Sequence, residues 1–403
     1  MSLANGRHYL AIPGPSVMPD RVLAAMHRAA PNIYEGGLHD LVDSLWPDLK
    51  AVAGTTTASV AGYIGNGHAV WEAANANLFS RGDKALVLAV GQFGLSWAQS
   101  ARAMGIEVEV IDFGKATPVD MDRVEAALRA DAAGKIKAVL MTHVDTASTI
   151  RTDIAALRAA MDAAGHPALL AVDCIASLGC DEYRMDAWGV DVTVAASQKG
   201  LMTPPGMGFV WFSEKARAVG KTADLRTPYW DWAPRVQGGE FWQLWDGTAP
   251  THHLFGLREA LNMIKEEGLE NVWARHDCLA RAVWAAFDCW SAGNAAIGLN
   301  VANPRDRARA VTAARLGAPH ATRLRDWCEH KAGVTLGIGL GMAPPSDPAY
   351  HGFLRVGHMG HVNAHMTLGA LAVMEAGMIA LDIPHGGGAL AAAAGVVAAG
   401  AGA

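Results

Sequence analysis

Cysteine, charge and long apolar runs are all scarce in this chain, and each scarcity closes off a class of protein. Five cysteines in 403 residues, at positions 174, 180, 278, 289 and 328, are too few and too odd in number for a disulfide framework. They fit reduced thiols, so a cytoplasmic location is expected. Charged residues make up only 18% of the chain, and a net charge of −6 offers no basic excess for a nucleic-acid partner. No apolar run approaches the roughly 18 to 20 residues of a membrane span, so no membrane partner is expected. The opening Met1-Ser2-Leu3-Ala4-Asn5-Gly6-Arg7 lacks the apolar centre of a signal peptide. No Ser-His-Asp triad signature and no phosphate-loop motif occurs.

What the chain does have is bulk: 51% hydrophobic residues over 403 positions suffice for two domains and a large core. Apolar runs at 85–89, 107–111, 138–142, 168–172, 190–196 and 208–212 alternate with helical spacing at 69–79, 96–104, 121–130 and 154–164. Such alternation predicts an α/β fold with a mostly parallel sheet covered by helices on both faces. A further helix is predicted at 41–53, and Asp20 is placed to cap one running through 28. Residues 226–251 hold Trp230, Trp232, Trp242 and Trp245 among prolines and glycines, and read as a loop-rich excursion. A long helical stretch from 257 to 286 then leads to a small α+β portion. The last stretch, 386–403, is almost only Gly, Ala and Val, too small for a core, and reads as a tail of unknown role. The expected organisation is an N-terminal arm (1–20), a large domain (21–262), a small domain (263–385) and the tail.

Chemistry concentrates at two neighbouring strand ends. The run 168–172 ends in Asp173, and the run 190–196 is followed by Ser197-Gln198-Lys199-Gly200 and then Pro204-Pro205-Gly206. Open α/β sheets place their ligands at the carboxyl ends of strands. A lysine there, short of water, has a depressed pKa and forms Schiff bases with carbonyl compounds. An aspartate beside it suits pyridoxal 5'-phosphate, whose ring nitrogen a carboxylate keeps protonated. A surface lysine is the plain alternative, and Asp173 is what argues against it. Gly65-Asn66-Gly67-His68 opens a helix whose free N–H groups suit a phosphate. It is no dinucleotide fingerprint, because Val70 stands where a third glycine would be.

Val172-Asp173-Cys174-Ile175-Ala176-Ser177-Leu178-Gly179 followed by Ser197-Gln198-Lys199-Gly200 and Pro204-Pro205-Gly206 resembles the class V aminotransferases, most closely the alanine/serine–glyoxylate branch. The resemblance spans roughly residues 10 to 380. It implies the fold type I of pyridoxal-phosphate-dependent transferases, with a seven-stranded sheet in the large domain and a small α+β C-terminal domain. Pyridoxal 5'-phosphate is the implied cofactor. Lys199 is the implied catalytic lysine, with Asp173, Ile175 and Gln198 around the cofactor. Pro13-Gly14-Pro15-Ser16 matches the family's opening beside the active site. Asn66, Gly67 and His68 match its phosphate turn, with Asn66 where a Ser or Thr is common.

In Gly91-Gln92-Phe93-Gly94-Leu95-Ser96-Trp97 the resemblance puts a ring-stacking aromatic, assigned to Trp97. In Thr142-His143-Val144-Asp145-Thr146-Ala147-Ser148-Thr149 it makes Thr146 the contact to the cofactor's phenolic oxygen. Thr248 matches a threonine that reaches a neighbouring subunit's phosphate, which implies a homodimer. Gly247 replaces the tyrosine of that motif, and Trp245 is a candidate substitute. Leu354-Arg355-Val356-Gly357 matches the motif whose arginine holds a substrate carboxylate. The implied reaction moves an amine from serine or alanine to glyoxylate, giving glycine and a 2-oxo acid. Aspartate as donor stays open through the altered loop at Tyr34-Glu35-Gly36 and through Arg226 and Arg235, possible partners for a second carboxylate. A lyase on the same scaffold needs the same Asp173, Lys199 and Arg355. His358, His361 and His365 have metal-like spacing, against which Gly357 and Gly360 argue. A cysteine nucleophile would need an exposed loop thiol, and packing is the expected role for Cys174, Cys180 and Cys328.

Overall fold

The computed structural model describes residues 2–402. In chain order it runs β1 (Tyr9–Ala11), α1 (Asp20–Met26), α2 (Gly37–Val52), β2 (Ser59–Gly65), α3 (Gly67–Leu78), β3 (Lys84–Ala89), α4 (Gln92–Ala103) and β4 (Glu107–Asp112). Then come α5 (Met121–Ala130), β5 (Ile136–Thr142), α6 (Ile154–Ala164), β6 (Leu169–Asp173), β7 (Val192–Ala196), β8 (Gly206–Phe212) and α7 (Glu214–Gly220). The second half holds α8 (Thr251–Glu267), α9 (Leu269–Ala292), β9 (Gly298–Leu299), β10 (Val311–Arg315), α10 (His320–Ala332), β11 (Val334–Ile338), β12 (Phe353–Gly357), α11 (Ala364–Ala380) and α12 (Ala389–Ala401).

Seven strands form one sheet in the order β2-β8-β7-β6-β5-β3-β4, with β8 antiparallel to both its neighbours. The remaining pairs, from β7 through β4, are parallel. Crossover helices cover both faces, so the central strands must be apolar throughout, and every residue of β6 and β7 is buried. At the edge, β4 alternates instead, with Glu107 and Glu109 exposed. The register sets Thr142 of β5 level with Asp173 of β6, and Asp173 level with Val194 of β7. Three loops that carry polar residues therefore leave the sheet side by side.

Five strands form the second sheet, β1-β11-β12-β10-β9. The N-terminal arm is part of it, because β1 pairs in parallel with β11, Tyr9 opposite Val334. The break between α8 and α9 falls at Gly268, whose φ of 84° an L side chain rarely adopts. No helix among the described residues is long and apolar enough to cross a membrane.

Three expectations need correction. Asp20 does not cap α1: Pro19 holds the N-cap position, the helix ends at Met26, and Asp20 pairs with Arg7 at 2.7 Å. The segment 59–65, for which no element is expected from the sequence, is a strand that carries Gly62 and Gly65. Those glycines make room, since a Cβ on Gly62 would stand 2.9 Å from the Trp245 ring and one on Gly65 2.6 Å from Ala69. Third, 386–403 is not a featureless tail. Alanine is the best helix former, and Ala389–Ala401 forms α12, with Ala389 and Ala393 buried in the core that packs on the second sheet. Small size lets the backbones approach: a Cβ on Gly400 would lie 2.4 Å from the Cys278 sulfur on α9.

Candidate active site

Asp173 ends β6 and is 3% exposed. Its Oδ1 accepts from the Ile175 amide at 2.7 Å and its Oδ2 from the Trp71 indole N–H at 2.9 Å. Burial pushes its pKa up to about 7, against those two bonds and the nearby Lys199. Lys199 follows β7, and its ammonium donates to the carbonyl of Pro13. Burial brings the amine down to about 8; Arg355 lowers it further, while Asp173 opposes the drop. The sheet thus sets a carboxylate and an amine next to each other, each near its own midpoint at neutral to mildly alkaline pH.

The N-terminal segment crosses over this lysine. Ser16 donates its amide to the Gln198 carbonyl at 2.8 Å and its hydroxyl to the Lys199 carbonyl at 2.7 Å. Gly14 is required at the crossing: its φ is +97°, and a Cβ there would lie 2.6 Å from the Lys199 side chain.

A cavity of about 250 Å³ opens beside the pair. Asn66, Gly67, His68, Thr146, Asp173, Ile175, Gln198 and Lys199 all line it, so the structure brings most of the expected set together. Gly67 begins α3 against Ile175, whose Cδ1 leaves 2.5 Å for a Cβ. Asn66 caps the helix, its side-chain oxygen accepting from His68 N at 3.0 Å and Ala69 N at 3.4 Å. Gln198 Oε1 is buried without a hydrogen-bond partner. The free N–H groups of a helix N-terminus, an amine and a buried carboxylate around one cavity are the groups that suit the phosphate, the aldehyde and the ring nitrogen of a phosphorylated pyridine aldehyde.

Trp97 is not part of that wall. It is fully buried, stacks on Trp71 with ring centres 5.9 Å apart, and donates to Asn75 Oδ1 at 3.1 Å. Phe93 lines the cavity instead. The two are four residues apart on α4 and share one face, so Trp97 lies one turn deeper. Phe93 stood in the same sequence segment; only the helix start at Gln92 separates the two choices.

Two further residues escaped the sequence reading. Trp71 lines the cavity and bonds Asp173, and its position on α3 held no distinguishing signal. Asp145 is fully buried and gathers the amides of Phe93 (2.7 Å), Gly94 (3.1 Å), Ala147 (2.9 Å) and Ser148 (3.4 Å). It ties the loop after β5 to the start of α4.

Arg355, on β12, approaches from the second sheet and does not itself line the cavity. It is 6% exposed, and donates through Nε to the Ile338 carbonyl at 2.7 Å and through Nη1 to that of Thr146 at 2.8 Å. No protein group among the described residues bonds its Nη2. Burial lowers its pKa to about 10, opposed by the charge of Asp145. Its grip on Thr146 sets it at the rim.

Thr248 is exposed and outside this chain's own cavity. Trp245 cannot serve in place of the missing tyrosine, because it is 1% exposed and packs beside Trp46 in the core. Nor do the excursion's arginines face the site. Arg235 is 0% exposed, between the rings of Tyr63 and Tyr229 and bonded to the carbonyls of Gly62, Leu244 and Tyr229. Arg226 bonds the carbonyls of Ala223 and Lys221 and lies 3.5 Å from Asp231. Both anchor the excursion.

The three histidines of metal-like spacing do not converge. His358 is buried, with Nδ1 on the Arg309 carbonyl (2.8 Å) and Nε2 on Thr312 Oγ1 (2.9 Å). His361 and His365 line a separate cavity of about 450 Å³ beside the N-terminal arm, which contains none of the residues expected in the site. Cys174, Cys180 and Cys328 are buried, and burial raises the last two thiols to about 12.

Comparisons agree with this geometry. Residues 52–363 match the family model "Aminotransferase class-V". A serine–glyoxylate aminotransferase of Methylorubrum extorquens is 35% identical over 380 residues, 93% of this chain and 92% of that protein. An L-aspartate–glyoxylate aminotransferase of Paracoccus denitrificans is 35% identical over 387 residues, 93% and 91% of the two chains. Among solved structures, the ureidoglycine-glyoxylate aminotransferase of Bacillus subtilis superposes with a TM-score of 0.86 at 23% identity, covering 98% of this chain and 99% of that one. The chain belongs to the class V aminotransferases, whose cofactor is pyridoxal 5'-phosphate.

Proposed function

We propose that the enzyme transfers an amino group from serine or alanine to glyoxylate, producing glycine and a 2-oxo acid. The observation that carries the reading is Lys199 and Asp173 together in one small cavity, with Arg355 bonded to the carbonyl of Thr146 at its rim, in a chain 35% identical to a serine–glyoxylate aminotransferase. When bound, pyridoxal 5'-phosphate supplies an aldehyde that condenses with amines and a protonated ring that draws electrons from the substrate's α-carbon. Asp173, as an anion, holds the proton on the ring nitrogen. Lys199 would hold the cofactor's aldehyde through its amine and, once free, would move a proton at the substrate's α-carbon as a general base, for which a midpoint near 8 is suited. Arg355 offers its free Nη2 to the carboxylate that donor and acceptor share, orienting the α C–H bond. Asn66, Gly67 and His68 would hold the phosphate and Thr146 the phenolic oxygen, Gln198 and Ile175 would border the ring, and Phe93 would take the stacking role first given to Trp97.

Glyoxylate has no side chain, so selectivity rests with the donor. Aspartate is the second reading, favoured by the 35% identity to an L-aspartate–glyoxylate enzyme. Against it, Arg226 and Arg235, the arginines offered for a second carboxylate, are held by carbonyls of the excursion and its surroundings. Donors compared with glyoxylate by kcat/KM decide between them. A tenfold preference, about 1.4 kcal/mol in the transition state, identifies the donor. Glycine from none of them would overturn the assignment and favour a lyase. The reading includes a cytoplasmic homodimer. Five unpaired cysteines support the compartment, and exposed Tyr34 and Trp242, chain neighbours of the Ile33 and Phe241 that His39 bonds and stacks on, support a covered face.

A further inference from the structure

Asp173 is the only carboxylate among the described residues that lines the cavity, and its own loop supplies just one of its two hydrogen bonds. One of its oxygens is held by the Ile175 amide; the other is held by the indole of Trp71, from a different element. Both partners can only donate, and an indole N–H has no acceptor with which to stabilise a carboxylic acid proton. A carboxylate has about four acceptor positions, so two are filled and two are left for a ring nitrogen. Trp71 is itself fixed from behind. It stacks nearly parallel on Trp97, 9° apart, and Trp97 is in turn pinned by Asn75 on α3, the same helix as Trp71. Trp71, Trp97 and Asn75 are all fully buried. Three large or polar side chains in one dry layer, serving a single hydrogen bond, are hard to account for as packing alone.

We propose that Trp71 is a positioning residue that acts through Asp173, holding the carboxylate ionised and aimed so that it selects a cofactor bearing a protonated ring nitrogen. The bond to Trp71 opposes the desolvation that drives Asp173 toward its neutral form. Removing the donor lets burial win, and a neutral Asp173 has no reason to prefer a pyridinium. Trp97 and Asn75 act one and two steps further back, and this is the role that Trp97 has in place of stacking on the cofactor. The inference rests on the cofactor's identity and is independent of which amino acid is the donor.

The experiment compares two ligands on cofactor-stripped enzyme: pyridoxal 5'-phosphate and its 1-deaza analogue, which has carbon in place of the ring nitrogen. Dissociation constants are read by titration for the native enzyme and for Trp71→Phe, which keeps an aromatic face and lacks the N–H. A charge-assisted hydrogen bond of roughly 1.5 to 3 kcal/mol predicts a loss of at least about tenfold for pyridoxal 5'-phosphate. The deaza analogue should bind both proteins within about twofold, because it makes no ring-nitrogen bond to lose. Equal loss for both ligands would show a merely structural role and overturn the proposal, as would no loss for either. If Trp71→Phe does not fold, benzothienylalanine at position 71, with sulfur in place of the indole N–H, preserves the ring's shape and gives the same comparison. Loss of discrimination between the two ligands supports the proposal; retained discrimination overturns it.

Discussion

Replacing Arg355 separates its charge from its geometry. In the structure the guanidinium spends Nε and Nη1 on the carbonyls of Ile338 and Thr146, which fix its plane, and leaves Nη2 without a protein partner among the described residues. Arg355→Lys keeps a positive charge but loses the fork, so one ammonium has to choose between the carbonyls and the substrate. Losing a charge-assisted hydrogen bond in a dry site costs about 1.5 to 3 kcal/mol, or roughly 10- to 150-fold in kcat/KM. Arg355→Gln loses the charge as well, and truncating one partner of a buried charge pair costs about 2 to 5 kcal/mol. The two variants also differ in their effect on Lys199. Arg355 lowers the Lys199 pKa by repulsion, so Arg355→Gln raises that pKa above about 8, while Arg355→Lys leaves it close to there. The assay is kcat/KM for a donor and for glyoxylate across pH, for all three proteins. If Arg355→Gln retains kcat/KM within a factor of about three, Arg355 does not hold the substrate. An unchanged pH midpoint in Arg355→Gln would refute the electrostatic coupling separately.

Other outcomes follow from the same geometry. Below about pH 8 Lys199 is protonated and cannot attack a carbonyl. The rate at which stripped enzyme captures pyridoxal 5'-phosphate should therefore rise about tenfold per pH unit up to that point and then level, as followed by rapid mixing. Borohydride reduction of the loaded enzyme should label Lys199, and a label on any other lysine would refute the assignment. Phe93→Leu should weaken cofactor binding by about 0.5 to 1.5 kcal/mol through loss of an aromatic contact, seen as a raised dissociation constant in titrations. Gly293→Ala should destabilise the fold by about 1 to 3 kcal/mol in denaturant unfolding, since its Cβ would lie 2.4 Å from the Gly386 backbone where the chain leads into α12. A homodimer should appear as twice the chain mass in sedimentation, and a fully active monomer would end the cross-subunit role of Thr248.

The sequence was most informative where one physical requirement acts on one short stretch. Strands buried on both faces must be apolar throughout, so β6 and β7 were visible, and a carboxylate or lysine at the end of such a run stands out from its surroundings. Helices α5 and α6 matched the spacing to the residue because each has a single buried stripe. Failures came where a residue's role depends on a partner far along the chain. Gly62 looks like a turn residue until the Trp245 ring, brought back by the excursion, explains the missing side chain. Arg235 looks like a free cation near a substrate loop, yet two tyrosines and three carbonyls enclose it. The Gly/Ala stretch at the C-terminal end lacks bulk, and bulk was the wrong criterion for a helix that lies close against α9 because it is small.

Trp97 is the most instructive of these cases, because its segment reaches the cavity through Phe93 while Trp97 itself lies deeper. A sequence gives the face of a helix but not its starting point to within a turn, and one turn is the difference between touching a cofactor and supporting the residue that does. The same distance works in the other direction. Trp71 reaches Asp173 across 102 residues of sequence and only 2.9 Å of space, so no local pattern could have shown the connection. Residues that contact the ligand share short motifs, since one strand end or one helix start delivers several of them together. Residues that tune those contacts, as Trp71 does for Asp173 and Asp145 for the amides of Phe93 and Gly94, come from other elements and are placed only by the packing of the whole sheet.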